Sequence, residues 1–414
     1  MTYVSVPKDS KPKLVRNHFS MINKCQVKHD RLPIVCFAGC DWWYHNRGLF
    51  CTQVMTRLAK DFRVLFINSL GMRVPSLRKD RSAAEKITRK LKSISHLVRK
   101  VSNGMYVFSP ISLPFFGSRA GRRLNRSTIF VQVRLVMAAL GFTKPIFYIA
   151  CPPAYEAVKK IERRYLIYGR TDLFEEMPGV NKSYIAALDE ELTRSADLVL
   201  YVNSGLWRRG IDKNKNSLLI GHGVDFDLFA GAAKSEHIPG DIAAIPRPII
   251  GFFGDISEKT IDMALVEFVA EKLPDMSLVF AGSISADVHR LRRLHNVYLL
   301  GQKPYNQIPL YGKEFDVAIM PWNKSKWIRF CNPVKIKEYL ALGKPVVSTY
   351  YPEIEPYTDL VYIARDYDAF ITCIHKAIQE DNQAKVEERR KRVQNETWDN
   401  KVAQIKAFIE RDLS

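Results

Sequence analysis

The chain has 414 residues, 47% hydrophobic and 26% charged, which suits a globular protein too long for one ordinary core and predicts two α/β domains. Its seven cysteines are scattered without a CxxC pair, which argues against a disulfide framework or a zinc site and places the chain in the reducing cytoplasm. A formal net charge of +20 asks for an anionic partner: nucleic acid, a membrane surface or a phosphorylated substrate.

Met1 to Arg31 is polar and holds no apolar core of a signal peptide. No uninterrupted apolar run approaches the ~20 residues needed to span a bilayer. The nearest, Ile129 to Phe142, is broken by Gln132 and Arg134.

Apolar runs then alternate with helical stretches. Ile34 to Ala38 predicts a strand, Asp41 to Gly48 a polar aromatic loop, and Leu49 to Lys60 a helix. Further strands are predicted at Arg63 to Ile67, Met105 to Ser109, Ile146 to Ala150, Tyr165 to Tyr168, Leu198 to Val202 and Ser217 to Ile220. Glycines and prolines punctuate Gly231 to Pro248, the expected linker. The rhythm restarts at Ile249 to Phe253 and continues at Ser277 to Ala281, Val297 to Leu300, Val317 to Met320, Pro345 to Thr349 and Leu360 to Ile363. One long charged helix, about Gln383 to Asp412, is expected to close the chain. This order predicts two parallel sheets with helices on both faces, a Rossmann-like domain over 32–230 joined by 395–414, and a second over 247–394. Ligands of such sheets bind at the carboxyl ends of the strands, here in a cleft between the domains.

Between Arg78 and Lys100 lie nine Lys/Arg and two acids, and Ile87, Leu91, Ile94, Val98 and Val101 recur at spacings of three and four. That pattern predicts a basic amphipathic helix at an anionic membrane surface, followed by Phe115, Phe116 and an arginine cluster at 119, 122, 123, 126 and 134. The plainer alternative is a helix packed on its own domain with a solvated basic face. Single-stranded nucleic acid binding would require aromatic residues interleaved with the basic run, and Arg78 to Lys100 has none, so no nucleic-acid partner is expected.

Three stretches carry candidate chemistry. In Asn332 to Pro345, Asn332 suits an N-cap, Pro333 the first helical position and Gly343 the position after the helix. The N-terminus of such a helix attracts phosphate, Lys335 adds a charge, and Glu338 on the same face offers acceptors for vicinal hydroxyls. That combination fits a nucleoside diphosphate; an ordinary capped helix with a solvated Lys–Glu pair is the alternative. In Gly251 to Thr260 a buried strand ends at a turn that can cradle phosphate, with Gly254 and Lys259 as candidates and a helix near Thr260. It lacks the glycine before the lysine of a P-loop, and no GxGxxG occurs, which excludes those NTPase and dinucleotide readings. In Tyr168 to Glu176, Asp172 follows a strand and is a candidate general base; capping the next helix is its alternative role.

Taken together these stretches resemble glycosyltransferases of the GT-B fold. Gly221 to Asp225 with Phe229 resembles their "HGVD…F" segment, and Gly254 to Thr260 their phosphate loop, Glu258 and Lys259 matching. Asn296 to Pro309 resembles the segment near the donor base, and Lys335 to Pro345 the donor helix "K-x-x-E-Y-L-A-x-G-K-P". Family 4 members carry two glutamates eight positions apart; here Glu338 matches the second and Phe330 stands at the first, and Asp255 replaces the arginine of the phosphate loop. The pattern is similar to teichuronic-acid glycosyltransferases and to the inverting xanthan glucuronosyltransferase. The resemblance implies two Rossmann-like domains facing a cleft, with a terminal helix bearing Trp398 crossing back to the first. It implies a nucleotide-sugar donor at Gly254, Lys259, Lys335 and Glu338, and a lipid-linked or polysaccharide acceptor on the side of Asp41 and His45. Asp172 would be the base of an inverting transfer at the cytoplasmic face of a membrane, with no metal or cofactor. A retaining enzyme and an inactive scaffold of the same fold are the alternatives.

Overall fold

A computed structural model of the protein describes residues 31–44, 47–70, 88, 92–111, 119–177 and 179–414. The first sheet holds β1 (Pro33–Phe37), β2 (Arg63–Ile67), β3 (Val98–Ser102), β4 (Met105–Phe108), β5 (Ile146–Ile149), β6 (Tyr165–Arg170), β7 (Leu198–Tyr201) and β8 (Ser217–Leu219). Their order is β3-β4-β2-β1-β5-β6-β7-β8. The second sheet holds β9 (Ile249–Phe253), β10 (Ser277–Ala281), β11 (Val297–Leu299), β12 (Val317–Met320), β13 (Val346–Thr349) and β14 (Tyr362–Ala364), in the order β11-β10-β9-β12-β13-β14.

All pairings are parallel except β3 against β4. The central strands are buried on both faces, which is why they read as continuous apolar runs rather than alternating ones. In each sheet the chain reverses its direction of travel beside the first strand: β1 lies between β2 and β5, and β9 between β10 and β12. The crevice beyond the carboxyl end of that strand is where a ligand can enter between diverging loops.

Several local expectations are corrected. The basic amphipathic helix expected over Arg78 to Lys100 lies mostly outside the described residues; residues 92–95 are helical, but Val98–Ser102 is the edge strand β3. Val98 packs on one hydrophobic cluster and Val101 on another, so a spacing of three placed them on opposite faces of a strand rather than on one helical stripe. The single terminal helix is two, Gln383–Val393 and Trp398–Leu413, the second capped by the Thr397 hydroxyl. The first packs on the helix Lys335–Leu342, where Arg390 donates to the Leu342 carbonyl at 3.0 Å. The second buries Trp398, Val402, Ile405 and Ile409 against the first sheet's core.

The chain passes between the halves at Gly221–Val224. Val224 N donates to the Glu396 carbonyl at 2.8 Å, and a Cβ on Gly223 would lie 2.7 Å from the Trp398 backbone. Only glycine permits this crossing of strands of chain. Phe229, Ile242 and Ile245 then join the core of the second sheet.

Candidate active site

The C-terminal half brings Gly254, Lys335 and Glu338 together. β9 ends at Phe253, and Gly254 follows with φ +131°. A Cβ there would meet Lys335 Cε at 2.2 Å, so the glycine serves both the backbone turn and the close passage of the lysine. The helix Lys335–Leu342 ends at Gly343 with φ +82°, as its sequence requires. Its N-terminus differs from expectation: Val334, not Asn332, is the boundary residue, and no side chain caps it. Asn332 instead donates to the Val202 carbonyl at 2.6 Å, tying the helix start to the other half. Phe253 N donates to the Tyr339 hydroxyl at 3.1 Å, which fixes the helix against β9.

Lys335 holds its ammonium 5.5 Å from the Phe252 ring centroid and 5.6 Å from that of Trp322. Burial pushes its pKa down, opposed by the charges of Glu338 and Asp255. Glu338 is 5% exposed. Burial pushes its carboxyl up to about 7, against the pull of Lys335. The Tyr305 hydroxyl sits beside it without closing a hydrogen bond of normal geometry. Lys337, the neighbour on the opposite face, is structural: it donates to the His222 carbonyl at 2.5 Å and to Glu396 at 2.9 Å.

Lys259 is exposed on the loop that follows Gly254. The helix after this loop starts at Met263, capped by Asp262, rather than near Thr260. The loop is held by Ser283 donating to Asp255 at 2.7 Å and by Asp287 N donating to Glu258 at 3.0 Å. Glu258 and Asp255 therefore shape the loop through neighbouring segments.

In the N-terminal half Asp172 lies just beyond β6, partly open and otherwise enclosed. It caps nothing: the short 3-10 turn Phe174–Glu176 has no side-chain cap. Its Oδ1 accepts from Trp327 Nε1 at 3.2 Å and its Oδ2 from Thr171 Oγ1 at 3.1 Å. Burial pushes the carboxyl up to about 6, and the two hydrogen bonds oppose that. Burial pushes the Cys331 thiol up, with the Asp172 charge adding to that rise and the Lys335 charge opposing it. Sequence reasoning missed Trp327; its one signal is an aromatic in a polar loop beyond a buried strand.

Asp41 is engaged in the loop after β1: Ser93 donates to it at 2.7 Å and Trp43 N at 2.9 Å, beside the Asn68–Ser109 contact of 2.8 Å. His45 lies outside the described residues. Gly48 reaches across the cleft, where a Cβ would come 2.6 Å from the Tyr305 ring. Among the described residues no group of three or more His, Cys, Asp or Glu could hold a metal ion, and no helix is long and apolar enough to cross a membrane.

Two sheets facing a cleft, with a positive helix terminus and a glycine turn on one side, define the GT-B architecture of glycosyltransferases. Residues 247–380 match the model of the family described as "Glycosyl transferases group 1". The chain is 26% identical over 257 residues to the putative teichuronic acid biosynthesis glycosyltransferase TuaH of Bacillus subtilis (strain 168), covering 58% of this chain and 63% of that one. The match thus spans less than two thirds of the curated relative's length. Among solved structures, sucrose-phosphate synthase from Thermosynechococcus elongatus superposes with a TM-score of 0.67 at 15% identity, covering 92% of this chain and 99% of that chain. Anabaena HepE in complex with UDP and glucose superposes with a TM-score of 0.62 at 15% identity, covering 92% and 99%. The UDP-forming α,α-trehalose-phosphate synthase from Burkholderia xenovorans, in complex with glucose-6-phosphate, gives 0.65 at 13%, covering 92% and 99%.

Proposed function

We propose that this chain is a glycosyltransferase that moves a sugar from a nucleotide-sugar to a lipid-linked or polysaccharide acceptor with inversion at the anomeric carbon. One observation carries the donor assignment: a half-buried Lys335 and a buried Glu338 sit side by side at the carboxyl end of the second sheet, next to Gly254, whose lack of a side chain makes room for the lysine. Lys335, with Lys259 on the loop above, neutralises the departing diphosphate together with the helix N-terminus. Glu338 accepts from ribose hydroxyls. The UDP complex of HepE supports a uridine nucleotide as the first donor to try.

Asp172 takes the proton of the acceptor hydroxyl as that oxygen attacks the anomeric carbon and the C–O bond to the diphosphate breaks. A base whose carboxyl sits at about 6 is ionised at neutral pH and still a useful proton acceptor. Asp41 and His45 are assigned to the acceptor side, and no metal enters the reading. The teichuronic acid name of the relative supports a polymer or lipid-linked acceptor.

Contact with the cytoplasmic face of an anionic membrane completes the proposal. On the helix Arg119–Ala139, Leu124, Val131 and Leu135 are exposed by 53%, 53% and 65% and lie on one face, with Arg123, Arg126 and Arg134 also exposed. Vesicle co-sedimentation checks it: binding to anionic lipid at low salt and release at high salt are expected, and no binding to any vesicle overturns it.

Thermal-shift measurement against a panel of nucleotide-sugars tests the donor assignment, because a ligand of the native state raises its melting temperature. No shift with any diphosphate sugar overturns it. With the donor known, NMR of the product reads the anomeric configuration, and retention overturns the inverting mechanism in favour of a retaining one.

A further inference from the structure

The segment between Trp322 and Pro333 begins and ends on the donor side of the cleft but works on the other side. It leaves β12 with Trp322, whose ring lies 5.6 Å from the Lys335 ammonium. It ends directly before the helix that carries Lys335 and Glu338. Ile328 anchors it in the core of the second sheet. Several of its side chains reach the first half: Lys326 pairs with Glu176 at 2.6 Å, Phe330 packs 5.2 Å from the Arg209 guanidinium, and Asn332 donates to the Val202 carbonyl. Between these contacts Trp327 donates its indole N–H to Asp172.

The surroundings of Asp172 give that hydrogen bond weight. Cys51 approaches from the helix Phe50–Leu58 and Cys331 from the segment itself, and both thiols feel the Asp172 charge. Arg170, two residues earlier, is bound to Asp189 at 2.7 Å. Lys326 is bound to Glu176. No cation among the described residues forms an ion pair with Asp172, so neutral N–H and O–H donors hold its charge. Thr171 is one of them and belongs to the same strand end. Trp327 is the other and comes from the opposite half.

We propose that Trp327 is a positioning residue for Asp172: delivered by the donor-binding half, its indole N–H orients the carboxylate and favours its ionised form, so the base is complete only when the two halves are docked. This rests on the assignment of Asp172 as the base. The physical reason is that a hydrogen bond to a carboxylate stabilises the charged form most where water is scarce.

Two measurements test the proposal. Fluorotryptophan incorporated into the full chain gives a ¹⁹F resonance for position 327, assigned through W327F. That resonance is expected to titrate with a midpoint near Asp172's value of about 6 and to lose its pH dependence in D172N. A resonance that does not titrate overturns the contact, and this readout needs neither donor nor acceptor. The second is the pH profile of kcat/KM. W327F keeps the ring and loses the N–H, so the pKa of Asp172 rises and the acidic limb moves to higher pH by about one unit. The rate at pH 7 falls about twofold, and more steeply below that pH, while the plateau at high pH and the affinity for nucleoside diphosphate stay as in the wild type. A W327F limb at the wild-type position overturns the positioning role. The assignment beneath it fails separately: an active D172N sinks Asp172 as base, whereas an inactive D172N with an unmoved W327F limb sinks only the role of Trp327.

Discussion

Each half of the molecule encloses an acid and a base, and the two pairs differ in how they are closed. In the N-terminal half the Arg170 guanidinium meets Asp189 at 2.7 Å, and the Tyr168 hydroxyl donates to the same carboxylate at 2.5 Å. In the C-terminal half Lys335 faces the rings of Phe252 and Trp322, and Glu338 has the Tyr305 hydroxyl beside it. Burying charge is costly unless partners repay the lost hydration. Arg170 and Asp189 repay it within the protein and form part of the scaffold. Lys335 and Glu338 repay it incompletely, which is the expected state of groups arranged for a ligand that brings its own phosphates and hydroxyls.

The strongest way to sharpen this contrast is to change carboxylates of the same half that lie in different settings. D172N keeps the size and removes the basicity, so turnover is expected to fall roughly 10²–10⁴-fold with donor affinity little changed. D189N leaves Arg170 buried without its counter-charge. It should cost about 3–5 kcal/mol of stability in denaturant unfolding, while the molecules that remain folded bind donor normally. Reversal of the two outcomes would break the distinction between scaffold and site.

On the donor side K335A and E338A should each weaken nucleoside diphosphate binding about ten- to a hundredfold, the loss of one charge-assisted contact, without lowering the melting temperature of the free protein. Calorimetric titration with UDP measures it. Unchanged affinity in both variants removes the donor site from this helix.

The smallest expected effect is on stability against pH. Glu338 has its folded value raised to about 7, above the ordinary range of a glutamate. The folded state therefore holds this proton more tightly than the unfolded state. Its contribution is fully present below the unfolded pKa and is lost as pH rises through about 7. The free protein should lose on the order of a few degrees of melting temperature across that window, and E338Q should flatten the slope. An identical slope in E338Q places the titrating group elsewhere.

Much of this was legible in the chain. Apolar runs between glycine and proline turns located most strands of both sheets, because strands buried on two faces need continuous apolar sequence. Lys335, Glu338 and Gly343 could be placed on one short helix from its stop signal and spacing alone. The failures are equally physical. Asn332 is a good capping residue by type, yet its side chain found a stronger use across the cleft on Val202. Val98 and Val101 carry a helical spacing, but an edge strand with a covered face on each side satisfies the same residues.

Sequence alone therefore determined the architecture, the short helix of Lys335 and Glu338 and the glycine turn, since each depends on local conformational preference and on periodic burial. Tertiary structure alone decided which charges are closed and which are open. Arg170 and Asp172 are two positions apart in the chain, and nothing local distinguishes scaffold from candidate base. The difference comes from partners 19 and 155 positions away, Asp189 for one and Trp327 for the other, and only the packing of the two halves brings them there.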